Sequence, residues 1–233
     1  IFSYLAKGLG IDLTKMKVLE VGCSAGGILE YFRQKGNQVC GCDLNSEYVM
    51  FGRDKYNLDL QVGTIDDMAI SWTPDIVIYS HTLEHILNPV EELVKIRSTM
   101  GDKIFLYIEV PGIKNLTRSH RGNFMKSLVN AHVYYFTLTT LKNLSRRAGY
   151  DFICGDEVIR SIFRVSSATQ QDGEIENDYN QVMRFLRRLE YFHPLLMLPG
   201  AVENKSIPLL ASFLRKVGLY ESASKIYSIV KRR

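Results

Sequence analysis

The sequence holds no apolar run near the ~20 residues that cross a bilayer as a helix. It also has few cysteines, four in 233 residues, at Cys23, Cys40, Cys42 and Cys154. Four thiols in this arrangement are no disulfide framework, and Cys40 and Cys42 lack the second pair that would complete a zinc site. No metal centre is expected, and free thiols point to a reducing, cytoplasmic compartment. Cys40 and Cys42 lie two apart in a β-rich run, so both should face the same helix from one side of a sheet. No internal repeat or low-complexity tract occurs. With 46% hydrophobic and 23% charged residues, the composition is that of a globular domain and excludes disorder. The chain begins at Ile1 rather than Met, so its natural N-terminus is expected upstream and any targeting segment goes unseen.

No acidic excess is present either: the formal net charge is +4. The charge is uneven, because residues 184–233 carry ten Lys and Arg against three Asp and Glu. A basic end on a mildly acidic remainder is either a solvated helix face or a surface for an anionic partner such as a membrane. No base-reading motif accompanies it, and nucleic acid is not expected as a partner.

Short β-rich runs alternate with helical stretches from Lys17 to about Ser167. Residues 17–22, 38–43, 60–63, 75–80 and 104–110 read as strands, and 152–158 and 162–167 as a closing hairpin. Helices are expected over 27–35, 46–56 (with Ser46 as cap), 89–100 with Pro89 in its first turn, and 137–148. This alternation predicts βαβ units, an α/β fold with a mostly parallel sheet. The domain is assigned to residues 1–168, with a lid or substrate insertion at about 112–136. An acidic linker and two helices, 178–192 and 207–230, make a helical extension over 169–233.

The chemistry concentrates where strands end. Glu20-Val21-Gly22-Cys23-Ser24-Ala25-Gly26 sits at a strand-to-helix turn, whose small residues let backbone approach a ligand closely. Such turns also bind dinucleotides. Here Glu20 would repel a pyrophosphate but suits a cationic amine, which favours a methyl donor over NAD. Asp43 ends the second strand and can accept hydrogen bonds from a ribose, a group that both ligands share, or it caps the next helix. Gly63-Thr64-Ile65-Asp66-Asp67 could frame an adenine. Ser80-His81-Thr82-Leu83-Glu84-His85 follows the fourth strand and points into the cleft at the sheet's C-terminal edge.

These pieces, with Asp75-Ile76-Val77-Ile78, Leu83 to Pro89, Ile108 to Pro111 and His132 to Phe136, occur in the order found in class I S-adenosylmethionine-dependent methyltransferases. The resemblance runs from about Lys17 to Val158 and includes the subgroup acting on small molecules and glycans. It implies a Rossmann-like seven-stranded sheet of order 3-2-1-4-5-7-6, with the last strand antiparallel and helices on both faces. It implies S-adenosyl-L-methionine as cofactor. The turn containing Glu20, Gly22, Cys23, Ser24 and Gly26 would hold the methionine end, and Asp43 the ribose. Leu44 would pack on the adenine, Ile65 and Asp66 would face its edge, and Ser80 and His81 would lie near the sulfonium. Ser24 replaces a commoner glycine and Thr64 a frequent Asp, which moves adenine recognition to Asp66 or to backbone groups.

Methylating a hydroxyl requires removal of a proton, and histidine is the base suited to neutral pH. His81, His85, His120 and His132 fall in or beside the cleft. His132, opening an aromatic run on the lid, is the favoured base or acceptor-positioning group, with Glu84 able to orient substrate; each of these could instead be a hydrogen-bonded structural residue. His193 lies outside the resemblance and is read as structural. A lid with Lys114, Arg118, His120, Arg121 and Asn123 suits a small polar acceptor, a sugar or a glycan. The nucleic-acid amino-methylating signature of Asn or Asp, two prolines and an aromatic is absent after the fourth strand. Two other readings stay open. One is a non-catalytic scaffold using the basic helices with Arg184, Arg187, Arg188 and Lys231 to Arg233. The other is a NAD-linked oxidoreductase, which Glu20 disfavours.

Overall fold

The computed structural model describes residues 1–115, 128–167 and 175–196, with side chains through residue 191. Its strands are β1 (Lys17–Val21), β2 (Gln38–Asp43), β3 (Asp59–Val62), β4 (Ile76–Ser80), β5 (Phe105–Glu109), β6 (Tyr150–Gly155) and β7 (Arg160–Val165). The helices are α1 (Phe2–Leu9), α2 (Gly27–Gln34), α3 (Ser46–Tyr56), α4 (Pro89–Met100), α5 (Leu138–Arg147) and α6 (Tyr179–Leu196). One seven-stranded sheet runs β3-β2-β1-β4-β5-β7-β6. The first five strands pair in parallel, and β7 is antiparallel to both β5 and β6. This is the α/β architecture and the strand order expected from the sequence.

Strand alternation divides the core into two layers. Leu19, Val21, Val77, Tyr79, Leu106 and Ile108 face α4 and α5, where Leu93, Ile96 and Leu141 meet them. Val18, Val39, Leu60, Ile76 and Ile78 face the other side, covered by Leu5, Leu29, Phe32 and Val49 of α1, α2 and α3. Cys40 and Cys42 lie in the α4 layer as free thiols, and burial pushes both up to about 12. Parity puts Glu20 on the same side of β1 as Val18, at the strand's C-terminal end.

Several boundaries differ from the sequence reading. Helix α1 was not anticipated; its Leu5 is fully buried, so tertiary packing rather than a motif fixes it. Asn45, not Ser46, caps α3, its side chain accepting from the Tyr48 N–H at 3.1 Å. The β6–β7 hairpin begins earlier than expected and carries a register shift between Phe152 and Cys154. Helix α6 runs past Pro194 to Leu196. The segment before it is anchored by ion pairs from Lys142 to Glu176 at 2.9 Å and from Lys114 to Asp178 at 3.0 Å. The helix expected over 207–230 lies outside the described residues. So do Arg118, His120, Arg121, Asn123 and Lys231 to Arg233, and the side chain of His193.

Because Leu5 is completely buried beneath the sheet, Leu5→Ala should lower stability by about 2–5 kcal/mol in urea unfolding. A loss below about 0.5 kcal/mol, the ordinary surface range, would mean that α1 adds little to the core.

Candidate active site

The first turn of the site is built by backbone geometry. Gly22 and Gly26 both take φ 75°, a region closed to most side chains. A Cβ on Gly22 would also collide with the Thr82 side chain, so the β1–α2 turn and the turn after β4 touch at this glycine. Ser24 adopts φ 49°, which costs a non-glycine residue about 1–2 kcal/mol. Its N–H donates to Asp43 Oδ2 at 2.7 Å, and the Asn45 N–H donates to Oδ1 at 2.8 Å. Asp43 is thereby oriented by backbone on both sides, and each oxygen keeps a lone pair for another donor. Leu44 beside it is an apolar side chain left 76% exposed.

Glu20 is 2% exposed and its Oε2 has no hydrogen-bond partner among the described residues. Burial, reinforced by the nearby Asp43 carboxylate, raises its pKa well above the ordinary carboxylate range. A buried carboxyl group with an idle oxygen suits a ligand ammonium. Together with Asp43 and Leu44 it fits a ligand that carries an amine, a vicinal diol and a flat apolar ring.

The second half forms after β4. His81 takes φ 55°, with its N–H bonded to the Glu109 carbonyl at 2.8 Å; strain of this kind persists where the surroundings hold it. The 3₁₀ turn Leu83–His85 then buries Glu84, whose side chain is 1% exposed and whose two oxygens both lack hydrogen-bond partners among the described residues. Three imidazoles ring Oε1: His81 Nδ1 at 3.7 Å, His85 Nε2 at 3.8 Å and His132 Nε2 at 3.9 Å. His132 arrives from a distant segment tied here by backbone. The Val133 and Tyr134 N–H groups donate to the Glu84 carbonyl at 2.9 and 3.2 Å, and His85 Nδ1 lies 2.8 Å from the Ala131 carbonyl. The His85 and His132 rings meet edge to face, their centroids 4.9 Å apart. The Glu84 carboxylate raises the pKa of His81, whereas burial lowers that of His132.

The structure thus gathers Glu20, Gly22, Cys23, Ser24, Gly26, Asp43 and Leu44 around one turn. It gathers Ser80, His81, Glu84 and His132 around another, in contact with the first through Thr82. One expectation needs correction. Ile65 is 4% exposed within the α4-side core, so its side chain cannot face a ligand in the cleft; the capped 3₁₀ turn Ile65–Asp67 turns it inward. Asp66 beside it stays exposed and pairs with Lys95 of α4 at 2.6 Å. His85 was not singled out by the sequence beyond its place in the cleft, yet it stands between Glu84 and His132. Arg184, Arg187 and Arg188 are carried along α6.

Comparison with known proteins identifies the family and the fold. A family profile described as a methyltransferase domain matches residues 1–154. A ubiquinone biosynthesis O-methyltransferase of Xanthomonas oryzae pv. oryzae (strain PXO99A) is 30% identical over 105 residues, 41% of this chain. The match spans 44% of that relative's length, so the chain accounts for less than half of it. Among solved structures, an S-adenosylmethionine-dependent methyltransferase from Clostridium acetobutylicum ATCC 824 superposes with a TM-score of 0.55 at 8% identity, covering 72% of this chain and 93% of the other. The 1,6-didemethyltoxoflavin-N1-methyltransferase of Burkholderia thailandensis, solved with 1,6-didemethyltoxoflavin and S-adenosylhomocysteine, gives 0.51 at 16% identity, covering 71% and 76%. At these identities the structural likeness is one of fold.

The state of Glu20 can be read without any ligand. A carboxyl group whose folded pKa is raised stabilises the fold most below its unfolded pKa, and that contribution disappears as pH rises through the folded value. The stability of Glu20→Gln relative to the parent should therefore increase as pH climbs above the usual carboxylate range. A difference that stays constant with pH would show that Glu20 ionises normally.

Proposed function

This chain belongs to the methyltransferase-domain family, and from that premise we propose that it transfers the methyl group of S-adenosylmethionine to a hydroxyl of a small-molecule or sugar acceptor. The observation that carries the proposal is the buried Glu84 carboxylate, ringed by three histidines and joined to the glycine turn at Gly22. When bound, adenosylmethionine supplies a methyl group already activated on a sulfonium. Glu20 would receive its ammonium, Asp43 its ribose hydroxyls, and Leu44 one face of its adenine. With Ile65 turned inward, the adenine edge would be met by backbone of the turn after β3. A ligand ammonium beside Glu20 would favour its ionised form and pair with it, whereas a pyrophosphate there would gain no such attraction, which argues against a dinucleotide.

The acceptor side favours oxygen. An amine can react through its own lone pair once neutral, whereas a hydroxyl needs a group to take its proton, a contribution of ~10²–10⁴-fold. His132 is suited to be that group, because burial keeps it neutral and ready to accept, and Glu84 at 3.9 Å stabilises the imidazolium that forms. Positioning donor carbon and acceptor oxygen supplies more, potentially ~7–11 kcal/mol. The Xanthomonas relative is an O-methyltransferase, which supports the same class of acceptor atom. The arginines of α6 are left to a separate role, contact with an anionic surface.

Two measurements test the reading. Asp43→Ala should weaken adenosylmethionine binding by roughly 10- to 150-fold in calorimetry, the range expected for hydrogen bonds to a charged group. His132→Ala should abolish methyl transfer while donor affinity stays nearly unchanged. Absence of donor binding to the parent protein would leave a scaffold, and full turnover by His132→Ala would remove that histidine from the reaction.

A further inference from the structure

The Glu84 cluster is arranged in a way that a proton alone does not explain. We propose that Glu84, His85 and His132 form a binding site for a divalent metal ion of the zinc class. One ligand atom from each lies within 4.8 Å of the other two. The acidic member is not a surface carboxylate: its side chain is 1% exposed and neither oxygen is hydrogen-bonded among the described residues.

The chemistry of the contacts points to a cation between them. His85 Nδ1, 2.8 Å from the Ala131 carbonyl, is the natural donor of the ring, since a carbonyl can only accept. In the neutral ring this leaves a lone pair on Nε2, which lies 3.8 Å from a carboxylate oxygen. Two electron-rich atoms so placed repel each other unless positive charge lies between them. The gap exceeds a hydrogen bond, which ends near 3.2 Å, yet two bonds of about 2.0–2.2 Å meeting at one ion span it with a bent angle between them. His132 Nε2 repeats the spacing at 3.9 Å from the same oxygen. A backbone carbonyl holding the far nitrogen of a ligating histidine is also the usual outer support of such sites, fixing tautomer and ring orientation.

Two imidazoles and one carboxylate suit zinc or a neighbouring transition ion better than magnesium or calcium, which prefer oxygen. Three protein ligands leave at least one open coordination position. His81, whose side chain is 61% exposed and 3.7 Å from Glu84, marks the open side of the cluster. An acceptor hydroxyl reaching that position would bind the ion and give up its proton more readily. The ion would then do what His132 does as a base in the proposed function; the inference rests on that reading for its acceptor, but not for the site.

The test uses the whole chain freed of metal by chelation. Cobalt(II) titration followed by visible absorption, with zinc calorimetry beside it, should show one site per chain. Glu84→Gln and His132→Ala should each weaken binding by more than about 100-fold, beyond the 10–100-fold loss typical of an outer-shell partner. Circular dichroism checks the fold of both, and His132→Asn provides a variant at the less buried end. Parental binding weaker than about 1 mM, or binding that the folded variants leave unchanged, would overturn the site. Adenosylmethionine calorimetry on the same metal-free protein separates the two ideas. Donor binding without metal binding sinks the metal alone; metal binding without donor binding sinks the methyltransferase reading alone.

Discussion

Glu84 is the residue around which the cleft is organised. A carboxylate removed from water without hydrogen bonds is disfavoured by several kcal/mol, and a folded chain retains one only if something else compensates it. Here the groups that could hold the compensating positive charge come from two places in the sequence. His81 and His85 flank Glu84 in its own turn, while His132 is carried in by a segment whose Val133 and Tyr134 N–H groups bond to the Glu84 carbonyl. The same residue therefore anchors the returning chain with its backbone and collects its imidazoles with its side chain. A substitution at Glu84 touches both functions at once.

The sheet explains why these groups meet. Parallel strands end at a common edge, and the turns after β1, β2 and β4 all open there. Contact between Thr82 and Gly22 means that the glycine turn cannot shift without moving the turn that leads to Glu84. Gly22 thus serves two needs, a positive φ and the absence of a side chain where Thr82 sits. The two halves of the proposed site are joined at a point where no methylene would fit.

How much of this could be read beforehand follows from the range of the forces involved. Helices α3 and α4 were legible to the residue, because turn residues and Pro89 set their ends locally. The sheet order was implied by the resemblance to class I methyltransferases, and the place of Glu20 and Asp43 near strand ends could be read from the strands themselves. Ile65 misled because a 3₁₀ turn capped by Thr64 rotates it into the core, a rotation that the strand alternation before it does not foretell. Helix α1 was missed since its evidence is a buried face against β-strands far along the chain. The convergence of His85 and His132 on one oxygen was hidden for the same reason: 47 positions separate them, and the bonds from the Val133 and Tyr134 N–H groups to the Glu84 carbonyl hold them together.

The cost of the site is concentrated at that one edge. Below it the sheet is apolar on both faces; at it lie two buried carboxyl groups, Glu20 and Glu84, and residues with positive φ at Ser24 and His81. A chain selected for stability alone would neutralise the first and relax the second, since each is unfavourable in the absence of a ligand. Their retention is understandable if positive charge arrives from outside: an ammonium at Glu20, and a proton or a metal ion at Glu84. The two carboxylates then divide the labour by polarity. In the proposed reaction one would hold the donor by a charge that the transfer leaves intact, and the other would manage the charge that the transfer must remove. Local instability in the empty protein is on this view the counterpart of affinity in the loaded one, and it falls where the strands stop.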